Sequence, residues 1–252
     1  GVWMIFRQLF ESLSSTYTYL IGDEETGQAI LIDPVISAMQ RDLAELRRLG
    51  LTLAYTVDTH IHADHITAAL ELKRAVGSKI AAPAYDRLPC TDVGIEDGVP
   101  FSLGGITLQP LHTPGHTAGH FSYVLGERVF TGDALLIEGC GRIDFQNGDA
   151  DTLYRSVHDK LFTLPDDTLV YPGHDYQQRF VSSIAQEKQR NPRLGNNRTL
   201  EEFRHIMANL NLPYPRFIDY AVPGNEQCGA CPCELPEDLS RYCNQMTQSL
   251  QG

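Results

Sequence analysis

Short β-rich runs of apolar residues open the chain at residues 5–10 and 17–21, and a third follows at 29–32 until Asp33–Pro34 stops it. The turn-forming stretch 23–27 separates the last two, so together the runs predict antiparallel strands. Ile36, Met39, Leu43, Leu46 and Leu49 then recur at helical spacing, and Gly50 closes the helix they predict. Residues 51–57 read as a strand running straight into a loop at 59–65, followed by a helix over 67–76 that ends at Gly77.

A second set of short strands is predicted at 79–82, 106–111, 122–125 and 128–131. A helix over 150–164, a strand over 168–171 and a helix over 182–190 complete the pattern. Strand groups interleaved with helices predict a layered α/β fold with mixed sheets. Beyond Asn191–Pro192 the sequence turns rich in Pro and Asn around one further helix, 200–210. Residues 4–191 are therefore expected to form the catalytic domain, with 192–252 as a C-terminal extension packing on it.

Of the 252 residues, 42% are hydrophobic and 21% charged, enough apolar material for a substantial core. The formal charge of −12 argues against a nucleic-acid partner or an anionic membrane surface. No apolar run approaches the ~20 residues of a membrane-spanning helix. The start lacks the features of a signal peptide, and the native chain is expected to begin at Met4, after Gly1–Val2–Trp3. Six cysteines are too few for a disulfide scaffold of this length, which points to a reducing compartment, cytoplasmic or, in a eukaryote, the mitochondrial matrix.

Five of the nine histidines fall in strand-to-loop junctions beside Gly, Thr or Asp. They are His60, His62 and His65 within Thr59-His-Ile-His-Ala-Asp-His65, His116 in Thr113-Pro-Gly-His116, and His174 in Pro172-Gly-His-Asp175. Asp133, in Thr131-Gly-Asp133, and Asp64 complete the group. Imidazole and carboxylate are the ligands borderline divalent metals take, and loops at strand ends can converge on one point. A lone loop histidine is ordinarily a hydrogen-bonded structural residue; seven such positions together point to metal. His158 and His205, on predicted helices, and His112 and His120, flanking His116, read as structural.

In kind and order these motifs resemble those of the metallo-β-lactamase superfamily, over most of residues 5–190. That resemblance implies an αββα sandwich of two mixed β-sheets flanked by helices, with the metal at one edge. It leaves the reaction open, because the superfamily holds both hydrolases and oxidoreductases.

Spacing alone accommodates a two-metal hydrolase of the glyoxalase II type: His60, His62 and His116 around one ion, Asp64, His65 and His174 around another, and Asp133 between them. The remaining sequence resembles the persulfide dioxygenases. The segments that carry this resemblance are 130–137, 139–146, Asn191-Pro-Arg-Leu194, 209–213 and 218–223. It implies one Fe(II) per chain, held by His60, His116 and Asp133 as a two-histidine, one-carboxylate triad. His62, Asp64, His65 and His174 would then orient the ligands and bound water. The implied reaction is the oxidation of glutathione persulfide by dioxygen to sulfite and glutathione. Arg142 and Tyr176 are implied to line the substrate pocket, although Arg142 could equally brace its loop by pairing with Asp144.

Cys228, Cys231, Cys233 and Cys243 are expected to be reduced thiols rather than a zinc site, and Cys140 to be packed inertly. A fused rhodanese domain is not expected, so a rhodanese-type sulfurtransferase is expected to be a separate partner. A homo-oligomer is expected.

Overall fold

The computed structural model describes residues 4–232, 235–237, 239, 240 and 243; Gly1–Trp3 and Cys233 lie outside the described residues. Among the described residues, the predicted pattern is realised as twelve strands and six α-helices. The first sheet has the order β1-β2-β3-β4-β5-β6, formed by Met4–Glu11, Thr16–Asp23, Gln28–Ile32, Thr52–Val57, Lys79–Pro83 and Val93–Ile95. Its first three strands are antiparallel, as the turn-separated runs predict, and β3 to β6 run parallel. The second sheet has the order β12-β11-β10-β9-β8-β7, formed by Ser182–Ser183, Leu169–Pro172, Arg128–Gly132, Phe121–Leu125, Ile106–His112 and Phe101–Leu103. Here β8, β9 and β10 are antiparallel and β10 and β11 are parallel, so both sheets are mixed.

The chain divides into two compact units. One comprises residues up to Ile95, Ser102–Thr107 and the described residues from Tyr214 onward; the other comprises Glu96–Phe101 and Leu108–Pro213. Each has its own apolar core. In the first, α1 (Met39–Arg48) turns Met39, Leu43 and Leu46 onto Leu20, Leu31 and Leu53 of the sheet, and α2 (Ala69–Val76) adds Leu72. The helical spacing read from the sequence is this buried stripe. Phe217 and Ala221, flanking and within α6 (Ile218–Glu226), join the same core.

In the second unit, α3 (Ala150–Ser156) continues into a π-helical turn at Val157–Leu161, so the helix predicted over 150–164 is irregular in its second half. Its Leu153, Val157 and Leu161 pack with Val129 and Val170 of the sheet, Ile184 of α4 (Ile184–Arg190) and Phe203 of α5 (Leu200–Ala208). The helix predicted over 182–190 gives its first two residues to β12. Among the described residues, no helix is long and apolar enough to cross a membrane.

The cysteine expectation is corrected. Cys90 is bonded to Cys228 and Cys231 to Cys243, both within the first unit, and Cys140 is a buried free thiol. The first pair spans 138 positions, and α6 has to fold back before the two meet, which spacing along the chain cannot reveal.

Candidate metal centre

In the first unit, parallel pairing of β3 and β4 places Ile32 beside Val57, so the residues that follow, Asp33 and the loop from Asp58 to His65, leave the sheet side by side. Asp33 is buried, and its carboxylate organises this loop. Oδ1 accepts from the Thr59 backbone N–H at 2.8 Å and Oδ2 from the Thr59 hydroxyl at 2.9 Å. With its proton given to Asp33, Thr59 Oγ1 accepts from His60 Nδ1 at 2.8 Å. That fixes the tautomer of His60 and leaves Nε2 as an unprotonated donor atom.

His62 turns Nε2 to Asp33 Oδ1 at 3.1 Å. Burial works to lower its pKa, but Asp33, helped by Asp58 and Asp64, raises it to about 9. Burial opposes the charge on Asp33 as well, and His62, His60 and the Thr59 N–H hold that carboxyl below the usual range. Asp58 is pushed up to about 7, by burial first and then by the neighbouring Asp33 charge. His65 Nδ1 lies 3.2 Å from Asp64 Oδ1 and 3.3 Å from Thr16 Oγ1. His62, Asp64 and His65 offer ligand atoms within 4.8 Å of one another, as do Asp33, Asp58 and His62.

In the second unit, parallel β10 and β11 end in register at Gly132 and Pro172, which sets Asp133 and His174 next to each other. Asp133 Oδ1 lies 3.3 Å from His174 Nε2, and Oδ2 lies 3.3 Å from His116 Nε2. His116 donates Nδ1–H to the Arg142 carbonyl at 2.6 Å, which leaves its Nε2 as the donor atom beside Oδ2. The Asp133 backbone N–H donates to His120 Nε2 at 3.1 Å; the other His120 nitrogen reaches Thr113 Oγ1 at 2.9 Å. His120 is therefore structural, as its sequence context suggests, but the structure it holds is the Asp133 backbone.

Two glycines press against this pair. A Cβ on Gly141 would fall 2.5 Å from Asp133 O and 2.7 Å from His116 Nδ1, and one on Gly173 would fall 2.9 Å from Asp133 Oδ1. The donor set of this unit suits a divalent ion: the His116 imidazole, whose other nitrogen is hydrogen-bonded, beside the buried Asp133 carboxylate.

Arg142 directs its Nε and Nη2 at the two oxygens of Asp144, at 2.6 and 2.7 Å, and its Nη1 at the Pro213 carbonyl at 2.9 Å. Its guanidinium also lies 4.9 Å from the centroid of the Phe145 ring. The bracing contact anticipated from sequence is present. Tyr176 is 76% exposed and stacks on His174, with ring centroids 6.2 Å apart.

Three site-building residues escape a sequence reading. Asp33 reads there only as a strand stop, and His120 only as a flanking residue. Asn225, on α6, donates to the carbonyls of His62 and His65 from a position 160 residues or more away in sequence. Nothing local in the sequence hints at the third.

The metallo-β-lactamase superfamily profile matches residues 12–174. The chain belongs to that superfamily, and its fold is the one expected, two mixed sheets flanked by helices. It is 48% identical over 231 residues to the mitochondrial persulfide dioxygenase ETHE1 of Homo sapiens, covering 91% of this chain and 90% of the human one. The crystal structure of ETHE1 from Myxococcus xanthus superposes with a TM-score of 0.87 at 56% identity, covering 89% of this chain and 99% of that one. A hydroxyacylglutathione hydrolase of Methylococcus capsulatus is 35% identical over 179 residues, 68% of each chain. Within the superfamily, this chain is a member of the persulfide dioxygenases.

Proposed function

We propose that the chain oxidises glutathione persulfide with dioxygen, giving sulfite and glutathione, and that it does so with one Fe(II) held by His60, His116 and Asp133. The reading rests above all on identity to the human persulfide dioxygenase across nine-tenths of both chains, against a shorter and weaker likeness to a glutathione-thiolester hydrolase. Bound Fe(II) supplies a redox-active centre at which a sulfur ligand and dioxygen can react together.

The protein's own groups do the rest. Thr59, backed by Asp33, and the Arg142 carbonyl hold His60 and His116 in the tautomer that presents Nε2. His174 lies beside Oδ1 of Asp133 while Oδ2 lies next to His116, and His174 is proposed to orient the carboxylate. His62, engaged with Asp33, and His65, engaged with Asp64 and Thr16, are proposed, following the family resemblance, to orient the ligands and bound water. Tyr176, exposed and stacked on His174, is proposed to flank the substrate. Arg142 is proposed to contribute charge there while its fork braces the loop.

Elemental analysis of protein purified without chelators tests the reading: about one iron per chain is expected. About two metals per chain, zinc among them, would move the assignment to the hydrolase.

A further inference from the structure

The loop that carries His60 to His65 contains no helix or strand, so its backbone groups need partners from elsewhere. One side chain supplies two of them and a third just beyond the loop. Asn225 is buried near the C-terminal end of α6, and its Nδ2 donates to the carbonyls of His62 at 2.9 Å and His65 at 2.8 Å. Its Oδ1 accepts from the Thr67 backbone N–H at 2.9 Å. Both amide protons and the amide oxygen are thus spent on the segment that follows His60.

The helix presenting Asn225 is itself closely seated. A Cβ on Gly224 would meet Ile66 Cδ1 at 2.9 Å, and one on Gly229 would meet Thr67 O at 2.1 Å. Leu70 donates its N–H to the Cys228 carbonyl at 3.0 Å, and Cys228 is bonded to Cys90. Close approach on several sides leaves Asn225 little room to follow the loop if the loop moves.

We infer that Asn225 is a positioning residue for the metal centre: it fixes the His62 and His65 carbonyls and so sets the direction in which His60 presents Nε2. The inference takes from the proposed function only that His60 is a ligand. It gives the segment beyond Tyr214 a part in metal binding that its sequence does not announce.

Cobalt(II) titration of metal-freed protein tests it, comparing wild type with Asn225→Leu and Asn225→Asp. Asn225→Asp keeps the acceptor for Thr67 but sets a carboxylate against two carbonyls. Both variants should bind Co(II) roughly 10–100-fold more weakly, the range seen when groups that orient ligands are lost. Their Co(II) visible absorption should shift, and amide exchange should quicken over residues 60–67. Leu46→Ala, in the core of α1, serves as a control that lowers the melting temperature without touching the loop. It should retain wild-type affinity and spectrum.

The inference is overturned if the Asn225 variants bind Co(II) with wild-type affinity and an unshifted spectrum. It is equally overturned if Leu46→Ala weakens binding as much. Should Asn225→Leu fail to fold, Asn225→Asp decides by the same criteria. A wild-type stoichiometry of two Co(II) per chain would contradict the single-ion reading while leaving the comparison among variants intact.

Discussion

Gly141→Ala places a single methyl group between the two residues of the second unit proposed to hold iron. Gly141 is not among the glycines with positive φ, so alanine brings no backbone strain and the effect is steric. The new carbon would sit 2.5 Å from Asp133 O and 2.7 Å from His116 Nδ1. It therefore pushes on the 2.7 Å bond from Gly141 N to Asp133 O and the 2.6 Å bond from His116 to Arg142 O. Overpacking of this size costs roughly 1–3 kcal/mol, of which about 0.4–1 kcal/mol is returned because alanine restricts the unfolded chain. Net destabilisation should be roughly 2 kcal/mol or more in urea unfolding of the metal-free protein, because the nearest atom is a backbone oxygen that cannot swing aside. Metal affinity should suffer as well, by about 10–100-fold, because the orientation of His116 depends on the bond being displaced. Competition for Fe(II) or Co(II) against a chelator measures this directly. Wild-type metal affinity in the folded variant would refute the claim that the Arg142 carbonyl sets His116.

His174→Ala should leave iron in place and lower persulfide oxidation by roughly 10–100-fold, since His174 faces the Asp133 oxygen turned away from His116; loss of a metal on elemental analysis would count against that role. Arg142→Lys keeps the charge but cannot span both Asp144 oxygens and Pro213, so stability should fall by roughly 1 kcal/mol and KM for glutathione persulfide should rise. A fall in stability with KM unchanged would leave Arg142 a brace alone. Asp42 is fully buried with Oδ2 lacking a hydrogen-bond partner, and burial raises its pKa to about 6 despite Arg41. The unfolded carboxyl titrates near ~3.9, so the folded state binds more protons between the two values and this group's contribution to stability declines as pH rises from about 4 to 6. Asp42→Asn should remove that decline, worth on the order of 3 kcal/mol, from urea midpoints measured across the range; an unchanged pH profile would exclude it.

The parts of the fold legible in the sequence are the helices with one buried stripe and the strands long enough to show as apolar runs. The stripe Ile36, Met39, Leu43, Leu46 predicts α1, with its first residues tightened into a 3-10 turn at Ile36–Ala38. The short strands β6, β7 and β12 are absent from that reading, because two or three residues carry no measurable alternation. Helix α6 is also absent, since Pro223 and Gly224 within Ile218–Glu226 are residues that ordinarily end a helix. The histidines and carboxylates of the site stand out because their spacing is compact. The groups that hold them do not, since Asp33, His120 and Asn225 act through contacts that only parallel strand pairing or the returning C-terminal helix creates. The disulfides escape for the same reason.

The central claim is that dioxygen is a substrate. An oxygen electrode, read together with a sulfite assay on the iron-loaded protein supplied with glutathione persulfide, tests it most directly. The account predicts oxygen uptake in step with sulfite release, both abolished by His116→Ala together with bound iron. Hydrolysis of a glutathione thiolester with no oxygen consumed on persulfide would contradict it.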